Sequence, residues 1–136
     1  MIVIDASVAV KWAIAEPDSI KAATLQLQEL AAPSIWIAEA GNTLWRNVRL
    51  GQLTKTEAIA LFGMLRAVPM TSVDMDRDAE LALTLAAELD HPIYDCFYLA
   101  LAIREDTYVV TADNRFASAV RRHGKWSSHL RMLAEL

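Results

Sequence analysis

The apolar positions of the chain fall into two kinds of run. Ile2-Val3-Ile4 and Tyr108-Val109-Val110-Thr111 are β-branched or aromatic, and no polar residue alternates with them. Runs like these bury both faces, as central strands of a parallel sheet do when helices cover them. The other apolar positions recur at helical spacing. Ala6–Ala15 reads as a helix with Val8, Trp12 and Ala15 on one face, stopped by Glu16-Pro17. Asp18 or Ser19 caps a second helix, anchored on Leu25, Leu27 and Leu30, and Ala31–Ser34 reads as a loop. A third helix is predicted from about Ile35 to Leu50, with Gly51 as a left-handed stop. Thr54-Lys55-Thr56-Glu57 has the form of a capping box. It opens a helix carrying Ile59, Leu61, Phe62 and Leu65 that ends before Pro69, and these two helices should form a hairpin standing off the sheet.

Met70–Val73 fits a second strand. Asp76 then caps a helix through Leu89, in which Leu81, Leu85 and Leu89 make a core stripe. After the loop Asp90-His91-Pro92, Ile93–Ile103 is apolar all round apart from Asp95, the signature of a central buried helix. Asn114–Arg122 reads as a short basic helix ended by Gly124, and His129–Leu133 as a final edge strand. Helices alternating with buried strands argue for an α/β fold, a three-layer α/β/α sandwich around a mainly parallel sheet.

Length and composition narrow the picture. A chain of 136 residues, 54% hydrophobic and 22% charged, fits one well-packed domain spanning residues 1–136, and no repeat or linker interrupts it. The longest uncharged stretch, Leu30–Ala38, is too short to cross a bilayer, so no membrane role is expected. The start of the chain enters a strand directly, and no export signal is read there. Cys96 is the only cysteine, which excludes an internal disulfide and suits a cytoplasmic location. The formal net charge of −4 is uneven: residues 115–136 carry +4 and the first 114 carry −8. A basic end on an acidic body hints weakly at a polyanionic partner, and on charge alone a solvated helix face is the better explanation.

Four carboxylates concentrate the candidate chemistry. Asp5 and Asp113 follow the two unalternating strands, at the strand ends beyond which open α/β sheets place their functional crevice. Asp95 falls in the first turn of the buried helix, where its charge suits the helix dipole. Each of these three has a plainer reading as a helix cap. Glu39 has none to make. It lies among apolar residues with no Lys or Arg in the obvious neighbouring positions, and Gly41 two residues on leaves room for another element to approach. If the four converge, each raises the others' pKa, and a divalent cation relieves the repulsion. Hard oxygen donors select Mg²⁺ or Mn²⁺, and no Cys-x-x-Cys or His-Glu-x-x-His suggests zinc. A carboxylate-held Mg²⁺ can bind a phosphate oxygen and activate a water, the chemistry of phosphodiester hydrolysis.

The segments Ile2–Ser7 (IVIDAS), Pro33–Trp45 (PSIWIAEAGNTLW), Ile93–Ala102 (IYDCFYLALA) and Tyr108–Phe116 (YVVTADNRF) together resemble a PIN domain over nearly the whole chain. Their spacing is similar to that of the VapC toxins of bacterial toxin–antitoxin pairs. The resemblance implies a Mg²⁺- or Mn²⁺-dependent endoribonuclease, with RNA as substrate and with Asp5, Glu39, Asp95 and Asp113 as metal-binding catalytic residues. Ser7 and Thr111 match hydroxyl positions near the metal. It also implies a homodimer and a small antitoxin that blocks the site. Arg115, Arg121 and Arg122 are candidate RNA contacts, extended by Arg46 and Arg49, or else partners of the acidic body or the antitoxin.

The remaining features point less sharply. Cys96 reads as a small buried hydrophobe and not as a nucleophile served by His91. His91, His123 and His129 share no ligand-like spacing and read as surface or loop residues. Trp12, Trp36 and Trp45 read as core or hairpin packing. The main alternative is a non-catalytic PIN-like module that binds RNA or protein. A haloacid-dehalogenase-type phosphatase would want a second Asp where Ser7 stands, and no Gly-rich phosphate loop follows any strand.

Overall fold

The computed structural model describes residues 1–136. Five short strands form one sheet: β1 (Ile2–Ile4), β2 (Leu30–Pro33), β3 (Thr71–Val73), β4 (Val109–Thr111) and β5 (Leu130–Met132). Their order is β3-β2-β1-β4-β5, and all four pairings are parallel. Seven α-helices connect them: α1 (Ala6–Ala9), α2 (Ser19–Leu25), α3 (Trp36–Arg49), α4 (Lys55–Ala67), α5 (Ala79–Leu89), α6 (Ile93–Arg104) and α7 (Asn114–His123). Val3, Ile4, Val109 and Val110 are fully buried, as unalternating β-branched runs require.

This strand order fixes where a site can form. The chain steps outward from β1 through β2 to β3, then returns to the other side of β1 to lay down β4 and β5. Right-handed crossovers therefore put the connections before β3 on one face of the sheet and those after it on the other. The direction reverses between β1 and β4. The carboxyl ends of those two strands form the topological switch point, where the covering helices diverge and leave a crevice.

Several boundaries differ from expectation for identifiable reasons. The α-helix after β1 ends at Ala9 and tightens into a 3-10 turn over Val10–Trp12, so Ala15 is exposed instead of completing a face with Val8 and Trp12. Asp18 does not cap α2. It sits in the left-handed region at φ 66° without a side-chain hydrogen bond to the helix. That helix stops at Leu25, and Leu27 is exposed. The segment expected to be a loop after Leu30 is instead buried strand β2, with α6 packed on it. Its alanines are small enough for close helix approach, and Pro33, which has no N–H to donate, is the last residue of the strand. Met70–Val73 is thus the third strand, at the sheet edge, and not the second. Asp76 opens a 3-10 turn, Asp76–Asp78, and α5 begins after it.

Other local signals are realised. Thr54 and Glu57 form both hydrogen bonds of a capping box at α4. Gly51 takes φ 76° past the end of α3, and α3 packs on α4 as a hairpin. Phe62 of α4 is the side chain that approaches Gly41, at ordinary van der Waals distance from where a Cβ would lie. From Cys96 to Ala102 every residue of α6 is buried, and Leu130–Met132 is the predicted edge strand. No helix is long and apolar enough to cross a membrane.

Candidate active site

Asp5 leaves β1 and becomes the N-cap of α1. Its Oδ1 accepts from the Val8 amide at 3.2 Å and from the Ser7 hydroxyl. It is only 3% exposed. Burial pushes its carboxyl up to about 7, and the nearby Asp95 carboxylate pushes the same way against the Ser7 and Thr111 hydroxyls. Ser7 ties the two strand ends together, because its Oγ also accepts from the Ala112 amide at 3.0 Å. The buried Thr111 does the same within its own turn, its Oγ1 accepting from the Asp113 amide at 3.0 Å.

Asp113 repeats the Asp5 arrangement one strand away. It is the N-cap of α7, and its Oδ1 accepts from the amides of Arg115 at 2.8 Å and Phe116 at 3.3 Å. The plain capping role and a place at the switch point therefore coincide in both residues.

Glu39 projects from the first turn of α3, where Tyr98 of α6 donates its hydroxyl to Oε1 at 2.6 Å. Burial and the Asp95 charge raise the Glu39 pKa, and the Tyr98 hydrogen bond opposes them. The carboxylate in turn drives the Tyr98 phenol far above its usual range, after burial as the larger cause. Asp95 lies in the first turn of α6, and His91 Nε2 stands 2.6 Å from its Oδ2. Burial again raises its pKa, opposed by His91 and reinforced by Asp113. The His91 ring is held by stacking on Phe116, with centroids 5.5 Å apart and planes 21° from parallel.

All four carboxylates line one cavity of about 590 Å³ at the switch point, together with Ser7 and Tyr98. Four separate segments of chain therefore meet there, as the sequence suggested. Arg46 reaches the same cavity and bonds Thr43 Oγ1 at 3.2 Å, whereas Arg49 lies over the exposed Trp45 ring. No Lys or Arg forms a salt bridge with any of the four carboxylates, and His91 is the one ionisable base in contact with them. No three acidic, His or Cys side chains stand close enough together to hold a metal ion as they are placed. The set still fits a divalent cation: it offers hard oxygens only, and the raised pKa values of Asp5, Glu39 and Asp95 record burial and mutual repulsion that a cation would relieve.

Other expected contacts fall elsewhere. Arg115 and Arg122 stand outside this cavity in a neighbouring one. Arg121 is engaged by Glu135 through both carboxylate oxygens, at 2.8 and 2.6 Å, so it pairs within the basic end itself and does not reach the cavity. Burial pushes the Cys96 thiol up to about 12, so it stays protonated at neutral pH and packs as a hydrophobe. Trp36 is buried, the Trp12 indole N–H donates to the Ala22 carbonyl at 2.8 Å, and Trp45, against expectation, is 53% exposed. His129 Nδ1 meets the Thr107 carbonyl at 2.7 Å, and His123 is exposed on the last turn of α7.

Two side chains that contact the candidate carboxylates escaped the sequence reading, His91 and Tyr98. Spacing held part of the signal. His91 and Asp95 are i and i+4, and a Tyr three residues after Asp95 lies nearly on the same helix face. Neither fact says which carboxylate the side chain will meet.

A model of the PIN domain family matches residues 2–121. The chain belongs to the PIN domain family. No curated protein matches it. Among solved structures it is similar to PAE2754 from Pyrobaculum aerophilum, with 21% identity, a TM-score of 0.74, and coverage of 98% of this chain and 84% of that one. It is also similar to VapC20 of Mycobacterium tuberculosis, a sarcin-ricin loop cleaving toxin, at 16% identity and a TM-score of 0.67, covering 88% of this chain and 95% of that one. At these identities the likeness concerns the fold. It bears out the α/β sheet and the PIN-like arrangement expected from the four sequence segments.

Proposed function

We propose that this PIN domain is a divalent-metal-dependent endoribonuclease and the toxin of a toxin–antitoxin pair. The observation that carries the reading is the convergence of Asp5, Glu39, Asp95 and Asp113, from four segments, on one cavity at the β1/β4 switch point. These residues would hold Mg²⁺ or Mn²⁺, which when bound supplies charge neutralisation and Lewis acidity for phosphodiester hydrolysis. The chain's own part is positioning. Ser7 fixes Asp5, Tyr98 fixes Glu39, His91 fixes Asp95, and the first amides of α7 fix Asp113. Thr111 braces the Asp113 amide. Hydrolysis adds water across one P–O bond, and no protein side chain is assigned as the base.

Family membership and likeness to a sarcin-ricin loop cleaving toxin support RNA as substrate and a cognate antitoxin as partner. A homodimer, a cytoplasmic location and one domain over residues 1–136 go with the same reading. The test is cleavage of a mixed structured RNA pool by purified protein with Mg²⁺, Mn²⁺ or EDTA, alongside Asp5→Asn. Defined cuts that need metal and fall to background in Asp5→Asn are expected. Cutting that survives both EDTA and the substitution would sink the reading. RNA that binds without ever being cut would replace it with the non-catalytic module.

A further inference from the structure

Beside the acidic cavity lies a second, of about 340 Å³, lined by Asp90, His91, Asn114, Arg115, Ser118 and Arg122 with Ala119 as its one hydrophobic residue. We propose that this basic pocket is a phosphate subsite that holds the RNA backbone next to the scissile linkage. The inference rests on reading the acidic cavity as an RNA-cleaving site and adds where the strand is gripped.

Three observations support it. The first is helix geometry. Arg115, Ser118 and Arg122 are spaced by three and four residues along α7, so they share one face. The buried Phe116, Ala117 and Val120 fix the opposite face in the core and so set where the arginines point. The second is that both guanidinium groups are uncommitted. Arg121 is bound to Glu135, Arg104 to Asp78 and Glu105, and Arg46 to Thr43. Arg49, Arg66 and Arg131 lie over aromatic rings. Of the arginines only Arg77, Arg115 and Arg122 have no side-chain partner, and two of these three line this one pocket. The third is position. The pocket abuts the acidic cavity at two places: His91 lines the pocket while bonding Asp95, and Arg115 follows two residues after Asp113.

The chemistry selects a phosphodiester strand. A planar guanidinium fork matches two phosphate oxygens, and Ser118 and Asn114 add neutral donors. Asp90 on the rim disfavours a lone small anion more than a strand also held elsewhere. A protein partner would need an apolar anchor at the centre of its footprint, and Ala119 is too small to give one. An acidic body also needs a local basic grip before its carboxylate cleft can approach a polyanion.

The experiment measures binding of a labelled single-stranded RNA to the full chain in EDTA, so that the strand stays intact, across a range of salt. The probes are wild type, the double variant Arg115→Gln/Arg122→Gln, and Arg121→Gln as a control that removes one charge from the same helix outside the pocket. Each lost phosphate contact lowers the slope of log affinity against log salt by about 0.7 for single strands, so the double variant should lose roughly 1.4 in slope and bind about tenfold more weakly. Arg121→Gln should leave the slope close to wild type. With Mg²⁺ the double variant should raise KM more than it lowers kcat. An unchanged slope in the double variant, while wild type still cuts RNA, would overturn the subsite and leave the nuclease standing. Arginine-dependent binding without any metal-dependent cutting would do the reverse. An equal loss per charge removed in Arg121→Gln would indicate a diffuse field and overturn the subsite. So would displacement of the RNA by micromolar inorganic phosphate, binding of an acidic peptide in place of RNA, or no RNA binding at all.

Discussion

The two neighbouring cavities are built on opposite terms. In the acidic one every carboxylate is anchored by a specific donor: Ser7 and Val8 for Asp5, Tyr98 for Glu39, His91 for Asp95, and two backbone amides for Asp113. In the basic one neither guanidinium is anchored at all, and only the face of α7 sets where it points. Like charges brought together under cover must be held against their own repulsion, so each needs a partner in the folded chain. Charges at a water-exposed rim keep their hydration and rotamer freedom until a ligand takes them up. The difference teaches where the fold spends stability. It does so on the acidic side, where burial drives the Asp5, Glu39 and Asp95 pKa values up, and hardly at all on the basic side.

The largest expected consequence is in stability against pH. The Asp5 carboxyl titrates near 3.8 in the unfolded chain and at about 7 in the folded one. Between those values the native state binds more protons, so unfolding free energy falls as pH rises. The contribution is fully present below 3.8 and lost as pH passes through 7. Glu39 and Asp95 are raised too and act in the same sense. Metal-free protein should therefore be about 2–4 kcal/mol less stable at pH 8 than at pH 5 on account of Asp5. Urea unfolding in EDTA checks this. Asp5→Asn should flatten the profile and stabilise the protein at pH 8. Arg122→Gln should leave the profile in place and shift stability by less than about 0.5 kcal/mol. A wild-type profile that is flat, or that rises with pH, would break the contrast between the cavities.

What the sequence revealed of this contrast, and what it hid, follows from which forces act locally. Asp5 and Asp113 were legible because a strand end and a helix start are both written in contiguous residues. Glu39 was legible as an anomaly, a carboxylate in an apolar helix, but its partner Tyr98 is 59 residues away and comes from a different helix. Strand β2 was hidden because Ala31-Ala32-Pro33 has no β-branched residue, its strand character coming only from pairing with β1 and β3. The three arginines looked equivalent in sequence. Glu135, fourteen residues after Arg121, removes that residue from the set, and no local pattern predicts the ion pair.

The middle-sized effect belongs to His91, which stands in the wall between the cavities and shows which side owns it. Its Nε2 contacts Asp95 while its ring is stacked on Phe116, so it orients a carboxylate and does not offer itself to solvent. Partners that orient metal-binding groups are worth about 10–100-fold in metal affinity. His91→Ala should weaken Mn²⁺ binding by that order, read by calorimetric titration without any substrate. His91→Gln should recover part of it, because its amide can still donate. The salt slope of RNA binding in EDTA should not move, because Arg115 and Arg122 are untouched. A loss of slope with metal affinity unchanged would reassign His91 to the basic side.

Tyr98→Phe should give the smallest shift and the finest test of anchoring. The ring stays fully buried among the helices and the sheet, so packing is preserved and only the hydroxyl is lost. Glu39 then forfeits the one donor that opposes its burial and the Asp95 charge. Stability should drop by about 1 kcal/mol, the ordinary worth of one hydrogen bond. The more telling readout is the acid limb of the cleavage profile. Without Tyr98 the Glu39 carboxyl holds its proton to higher pH, so activity should begin to rise later as pH increases, with no change at the alkaline end. An acid limb that stays in place while stability falls would make Tyr98 a core residue only. The acidic cavity would then hold three anchored carboxylates and one that merely tolerates its site.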